Sequence, residues 1–88
     1  MIPFIWVNCM NDKTRHAEKL MLLGNKIAYY RRKSKLSQEQ LAEMIGISRV
    51  HLSHIEAPNV IQAFSINVLF DIADALGVDA MDLFNFDK

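Results

Sequence analysis

Eighty-eight residues suffice for one domain with its own hydrophobic core and leave no room for a second. Hydrophobic residues make up 51% and charged residues 23%, with three Gly and two Pro, which excludes low-complexity disorder and collagen-like repeats. The formal net charge of zero conceals a division along the chain: through Lys35 eight basic residues face Asp12 and Glu18, giving +6, whereas from Leu36 onward Arg49 and Lys88 face eight carboxylates, giving −6. A basic start suits phosphate, and an acidic remainder would orient the molecule against it. A lone cysteine, Cys9, cannot form an intramolecular disulfide and lacks zinc-site spacing, so a reducing cytoplasm is expected. The apolar runs Ile2 to Val7 and Leu20 to Leu23 are far shorter than the roughly 18 to 20 residues that cross a bilayer. The start also lacks the basic residues and cleavage site of a signal peptide.

In chain order, residues 3–10 carry Phe4, Ile5, Trp6 and Val7, a β-branched and aromatic run that predicts a short strand within an N-terminal arm, residues 1–12. Asn11 or Asp12 can cap a helix reaching about Ser34, in which Ala17, Leu20, Leu23, Ile27 and Tyr30 recur at steps of three and four. Gly24 either divides this helix or, if the helix is continuous, costs about 1 kcal/mol relative to Ala. Ser37-Gln38-Glu39-Gln40 has the capping-box pattern, predicting a short helix with Leu41, Ala42 and Ile45 inward and Gly46 at its end. Ser48 can cap a helix over 49–56. Leu52 and Ile55 face inward there, Val50, Ser53 and His54 lie opposite, and Arg49 and His51 flank them. Ala57-Pro58-Asn59 breaks that helix. After a loop, Ser65 caps another through Leu76, with Ile66, Leu69, Ala73 and Leu76 as an apolar stripe widened by Val68 and Ile72. Gly77 ends it, and Asp79 caps a last short helix carrying Met81, Leu83 and Phe84. The expected fold is all-α, a compact five-helix domain over 13–88 with no internal repeat.

The pieces Leu23-Gly24-Asn25-Lys26-Ile27 with Arg31, Leu36-Ser37-Gln38-Glu39-Gln40-Leu41-Ala42, Ile45-Gly46-Ile47-Ser48, Leu52-Ser53-His54-Ile55-Glu56, and Leu69 through Val78 occur in a fixed order. This order resembles the lambda-repressor/Cro-like, or Xre-like, helix-turn-helix family over Leu23 to about Phe84. The resemblance implies a DNA-binding transcriptional regulator whose helix-turn-helix unit is 37–56. Two short helices joined by a tight turn let the first lie across the sugar-phosphate backbone while the second enters the major groove. On the second, Arg49, Val50, Ser53 and His54 are the candidates for base edges: Arg for guanine O6/N7, Ser and His for single hydrogen bonds, Val for a thymine methyl. Gln38 stands at a helix N-terminus, where free N–H groups and the dipole attract anions. By resemblance Ser37 and Gln38 meet phosphate, with Lys33, Lys35 and His51 as further phosphate candidates. By resemblance, too, Arg31 and Glu56 form an ion pair tying the first helix to the end of the reading helix.

The segment after Glu56, residues 57–64, carries no charge, whereas the family usually grips phosphate there; each lost contact lowers the log–log salt slope by about 0.9. His51 and His54 lack a third ligand at metal spacing, and no phosphate loop, nucleophile elbow or paired carboxylates point to catalysis. No metal, cofactor, small-molecule ligand, catalytic residue or membrane partner is therefore expected. The leading expectation is a cytoplasmic regulator that binds double-stranded DNA as a homodimer, because one reading helix covers too few base pairs. The alternative is a protein-interaction module, an antitoxin or complex subunit, with weak DNA binding. The apolar arm is expected in the dimer interface, pairing strand to strand across a two-fold axis; failing that, association would run through Val68, Ile72 and Phe84.

Overall fold

Polar caps and two glycines set most of the helix boundaries among the described residues. A computed structural model describes residues 16–57 and 64–86. It contains α1 (Ala17–Lys33), α2 (Gln38–Ile45), α3 (Arg49–Glu56), α4 (Ile66–Leu76) and α5 (Ala80–Leu83), with no strand among the described residues. The predicted N-terminal strand, the caps Asn11 and Asp12, and most of the 57–64 loop lie outside the described residues. Helix α1 begins at Ala17 behind His16, which makes no side-chain cap bond, so its start is later than the polar residues upstream suggested.

Ser37, Ser48 and Ser65 each stand in extended backbone before α2, α3 and α4. Their hydroxyls accept from the N–H groups of Gln40 at 3.0 Å, His51 at 2.9 Å and Val68 at 3.1 Å. At α2 the box is complete, since the Ser37 N–H donates to Gln40 Oε1 at 2.8 Å, satisfying two otherwise orphaned donors. Gly46 and Gly77 close α2 and α4 at φ 78° and 70°. The end of α1 uses the same left-handed step with a lysine: Lys35 sits at φ 61°. The N–H of Leu36 donates to the Arg31 carbonyl at 3.1 Å and that of Lys35 to the Arg32 carbonyl at 2.9 Å, the Schellman pattern. A side chain in this region costs about 1 to 2 kcal/mol, and it sets the sharp entry into α2.

Helix α1 packs on α3, α4 and α5, while α2 packs on α3 and α4. The core joins Leu23 and Ile27 of α1, Leu41 and Ala42 of α2, Leu52 and Ile55 of α3, Leu69, Ile72, Ala73 and Leu76 of α4, and Leu83 of α5. Gly24 does not divide α1, which is continuous. It is buried against α3: a Cβ there would clash with the Ile55 carbonyl oxygen and lie 3.3 Å from its carbon and 3.4 Å from Glu56 Cα. The helix gives up about 1 kcal/mol of propensity to let two backbones touch.

Two expectations for α4 need correction. Ile66 is 57% exposed and outside the buried stripe; it lies at the first helical position, on the rim of a shallow cavity with Leu20, Leu23 and Phe84. Ile72, by contrast, is fully buried and so is unavailable to a second subunit.

Candidate nucleic-acid interface

The helix-turn-helix unit is held by a polar cluster below its surface. Arg31 reaches from α1 to Glu56 at the last turn of α3, with Nε to Oε2 at 2.8 Å and Nη2 to Oε1 at 3.0 Å. Side-chain exposure is only 10% and 4% for the pair. The third arm of the guanidinium, Nη1, donates to the Leu36 carbonyl at 2.8 Å, fixing the turn between α1 and α2. Gln38, the first residue of α2, donates from Nε2 to Glu56 Oε1 at 3.0 Å. One carboxylate thus accepts three hydrogen bonds from two helices, and no buried side-chain nitrogen or oxygen among the described residues lacks a partner. Such satisfaction makes a buried charge tolerable and orients what carries it.

Glu56 anchors α3, and the outer side of that helix is what it presents. Arg49, Val50 and His54 are exposed, Val50 to 54%, whereas His51 and Ser53 are half-buried. The exposed Val50 is an apolar side chain on an otherwise polar helix surface. Ser37 is exposed but committed to its capping box, and Gln38 is half-buried with one amide hydrogen spent on Glu56. Lys35 is exposed at its left-handed turn. Lys33 lies over an aromatic pair, its Nζ 5.8 Å from the Tyr29 ring centre and 6.0 Å from that of Tyr30. Lys26 also approaches Tyr30, at 5.9 Å. These cation–π contacts place the Lys33 charge on the tyrosine face of α1.

Two features escaped the sequence reading. The Gln38 to Glu56 hydrogen bond joins residues eighteen apart, and only the tertiary arrangement reveals it. Arg32 is exposed beside the polar cluster, whereas composition shows it only as one basic residue among eight. A run of consecutive cations, Arg31-Arg32-Lys33, was its available signal: on a helix they point in three directions, inward to Glu56, toward α3, and toward the tyrosines.

Comparison with known proteins decides the family. Residues 27–83 match the model of the helix-turn-helix family. The chain belongs to the lambda-repressor/Cro-like helix-turn-helix family. It is 36% identical over 65 residues to an uncharacterized HTH-type transcriptional regulator of Methanocaldococcus jannaschii, covering 74% of this chain and 96% of that protein. Among solved structures it is similar to the restriction-modification controller protein C.AhdI from Aeromonas hydrophila. The TM-score is 0.71 at 27% identity, covering 76% of this chain and 98% of the controller. The helix-turn-helix family is one of DNA-binding transcriptional regulators rather than a class of enzymes, and its five-helix architecture is the one described above. No described helix is long and apolar enough to cross a membrane.

Proposed function

We propose that this helix-turn-helix protein is a sequence-specific regulator that binds double-stranded DNA as a homodimer and reads the major groove with α3. The observation that carries the proposal is the pairing of an exposed face, Arg49, Val50 and His54 with Ser53 beside them, with the buried Arg31–Glu56 clamp in the last turn of the same helix. A helix about 10 to 12 Å in diameter with its side chains fits the roughly 12 Å width of the major groove. Arg49 supplies a fork for guanine, His54 and Ser53 single hydrogen bonds, and Val50 an apolar contact for a thymine methyl. Ser37, Gln38, Lys35, Lys33 and His51 are the phosphate candidates around it, with Lys33 having to leave its aromatic neighbours to serve.

Dimerisation supplies the second half-site that one helix cannot read. Ile66 and Phe70 stand one turn apart on α4, 57% and 48% exposed, and Ile66 borders the same shallow cavity as Phe84. Ile66, Phe70 and Phe84 suit a second subunit better than Val68, which is half-buried, or Ile72, which is fully buried.

Enrichment of random duplexes on the purified full chain, followed by sequencing, tests the reading. The expected product is a sequence with two-fold related halves, about one helical turn apart from centre to centre. Recovery without any common sequence would favour the protein-interaction alternative, an antitoxin or complex subunit on the same fold.

A further inference from the structure

Between α1 and the last turn of α3 lies an open groove of about 340 Å³ whose floor is the Arg31–Glu56 pair and whose walls include Asn25, Arg32, Gln38 and Ser53. The floor is electrically neutral, because the Arg31 guanidinium balances the Glu56 carboxylate. The Arg32 guanidinium therefore sets the charge of the groove. The Arg32 side chain is exposed and makes no hydrogen bond or ion pair among the described residues, and the same holds for the hydroxyl of Ser53. Around it stand further donors: the second amide hydrogen of Gln38, the Asn25 amide and the Ser53 hydroxyl. One cation ringed by neutral donors matches an anion of single charge with several oxygens.

We infer that this groove seats one backbone phosphodiester of the bound DNA, with Arg32 as its principal ligand and Asn25 and the second amide hydrogen of Gln38 as supporting donors. The inference rests on the DNA-binding reading above. The position suits it, since Gln38 begins the helix proposed to cross the backbone and Ser53 borders the proposed reading face. It also answers the lack of charge in residues 57–64: a phosphate grip absent after α3 is provided from α1.

The test measures binding of the full chain to a labelled random-sequence duplex from 50 to 200 mM salt. Arg32→Ala is expected to weaken binding roughly tenfold at low salt, as loss of a charge-assisted hydrogen bond implies, and to lower the log–log salt slope by about 0.9. Arg32→Lys should retain the slope, and Asn25→Asp, which puts a carboxylate in the groove, should weaken binding several-fold. Lys19→Ala removes the same charge from an exposed position thirteen residues earlier on α1; it should change binding much less. Equal effects of Arg32→Ala and Lys19→Ala, or none from Arg32→Ala, would overturn the groove assignment while leaving the DNA reading in place. Failure of the unaltered chain to bind any duplex would overturn both. Replacing chloride by phosphate at matched ionic strength separates the two sources of the anion. Extra displacement of the duplex that disappears in Arg32→Ala is expected, because both anions compete for one seat; Arg32-dependent phosphate binding with duplex affinity unchanged in Arg32→Ala would assign the groove to free phosphate and overturn the phosphodiester.

Discussion

Arg31→Met is expected to lower stability by about 3 to 5 kcal/mol, the cost of breaking one side of a buried ion pair. Methionine fills a similar volume, so the loss is electrostatic: the Glu56 carboxylate, at 4% side-chain exposure, would keep only the Gln38 amide, and the Leu36 carbonyl would lose the donor it has at 2.8 Å. For a domain of this length each kcal/mol moves the midpoint by about 4 to 8 °C, so a thermal melt should fall by well over 10 °C. Lys19→Met, on an exposed turn of the same helix, should change it little. A double change, Arg31→Met with Glu56→Leu, should recover part of the loss because no stranded charge remains. Equal melting of Arg31→Met and Lys19→Met would mean that the pair contributes nothing to holding α3.

Gly24→Ala runs against the usual expectation for a helical glycine. Within an exposed helix the change would stabilise by about 1 kcal/mol. At this position the new methyl meets the Ile55 carbonyl oxygen and stands 3.4 Å from Glu56 Cα, and this backbone, in the last turn of α3 and tied down by the Arg31–Glu56 pair, cannot step aside as a side-chain tip can. Overpacking of this kind costs about 1 to 3 kcal/mol or more, and α3 would be pushed from α1 just where Arg31 must reach Glu56. The expected outcome is a net loss of about 2 kcal/mol in urea denaturation, together with weaker DNA binding. Unchanged or raised stability would show that the helices can separate freely at this crossing.

The two substitutions mark where the sequence was legible and where it was not. Caps are local: a serine and the N–H it accepts lie three residues apart, so Ser37, Ser48 and Ser65 could be placed before any tertiary arrangement was known. Heptad-like spacing likewise exposed the inward Leu52 and Ile55 of α3. Gly24 read only as a weak point in a helix, because the backbone it accommodates is thirty-one residues away. Ile66 kept the right spacing for the α4 stripe, yet periodicity carries no information on where the core ends, and its position at the helix start leaves it on the rim. The candidate interface followed the same division. Helical angle identified the outward residues of α3, whereas the engagement of Gln38 by Glu56 and the seating of Lys33 on the tyrosines depend on how α1, α2 and α3 meet. Arg31-Arg32-Lys33 shows why composition could not substitute for geometry: three adjacent cations occupy three different environments.

The most direct measurement of the central claim compares Arg49→Ala and Gln38→Ala on the enriched duplex and on all its single-base variants. Arg49→Ala should cost about 1 to 3 kcal/mol on the preferred sequence and flatten the preference at one position of each half-site, as loss of a base-edge contact requires. Gln38→Ala, at the proposed phosphate contact, should weaken every sequence alike and leave the pattern of preference intact. A uniform loss from Arg49→Ala, with preference unchanged at every position, would contradict base reading by α3.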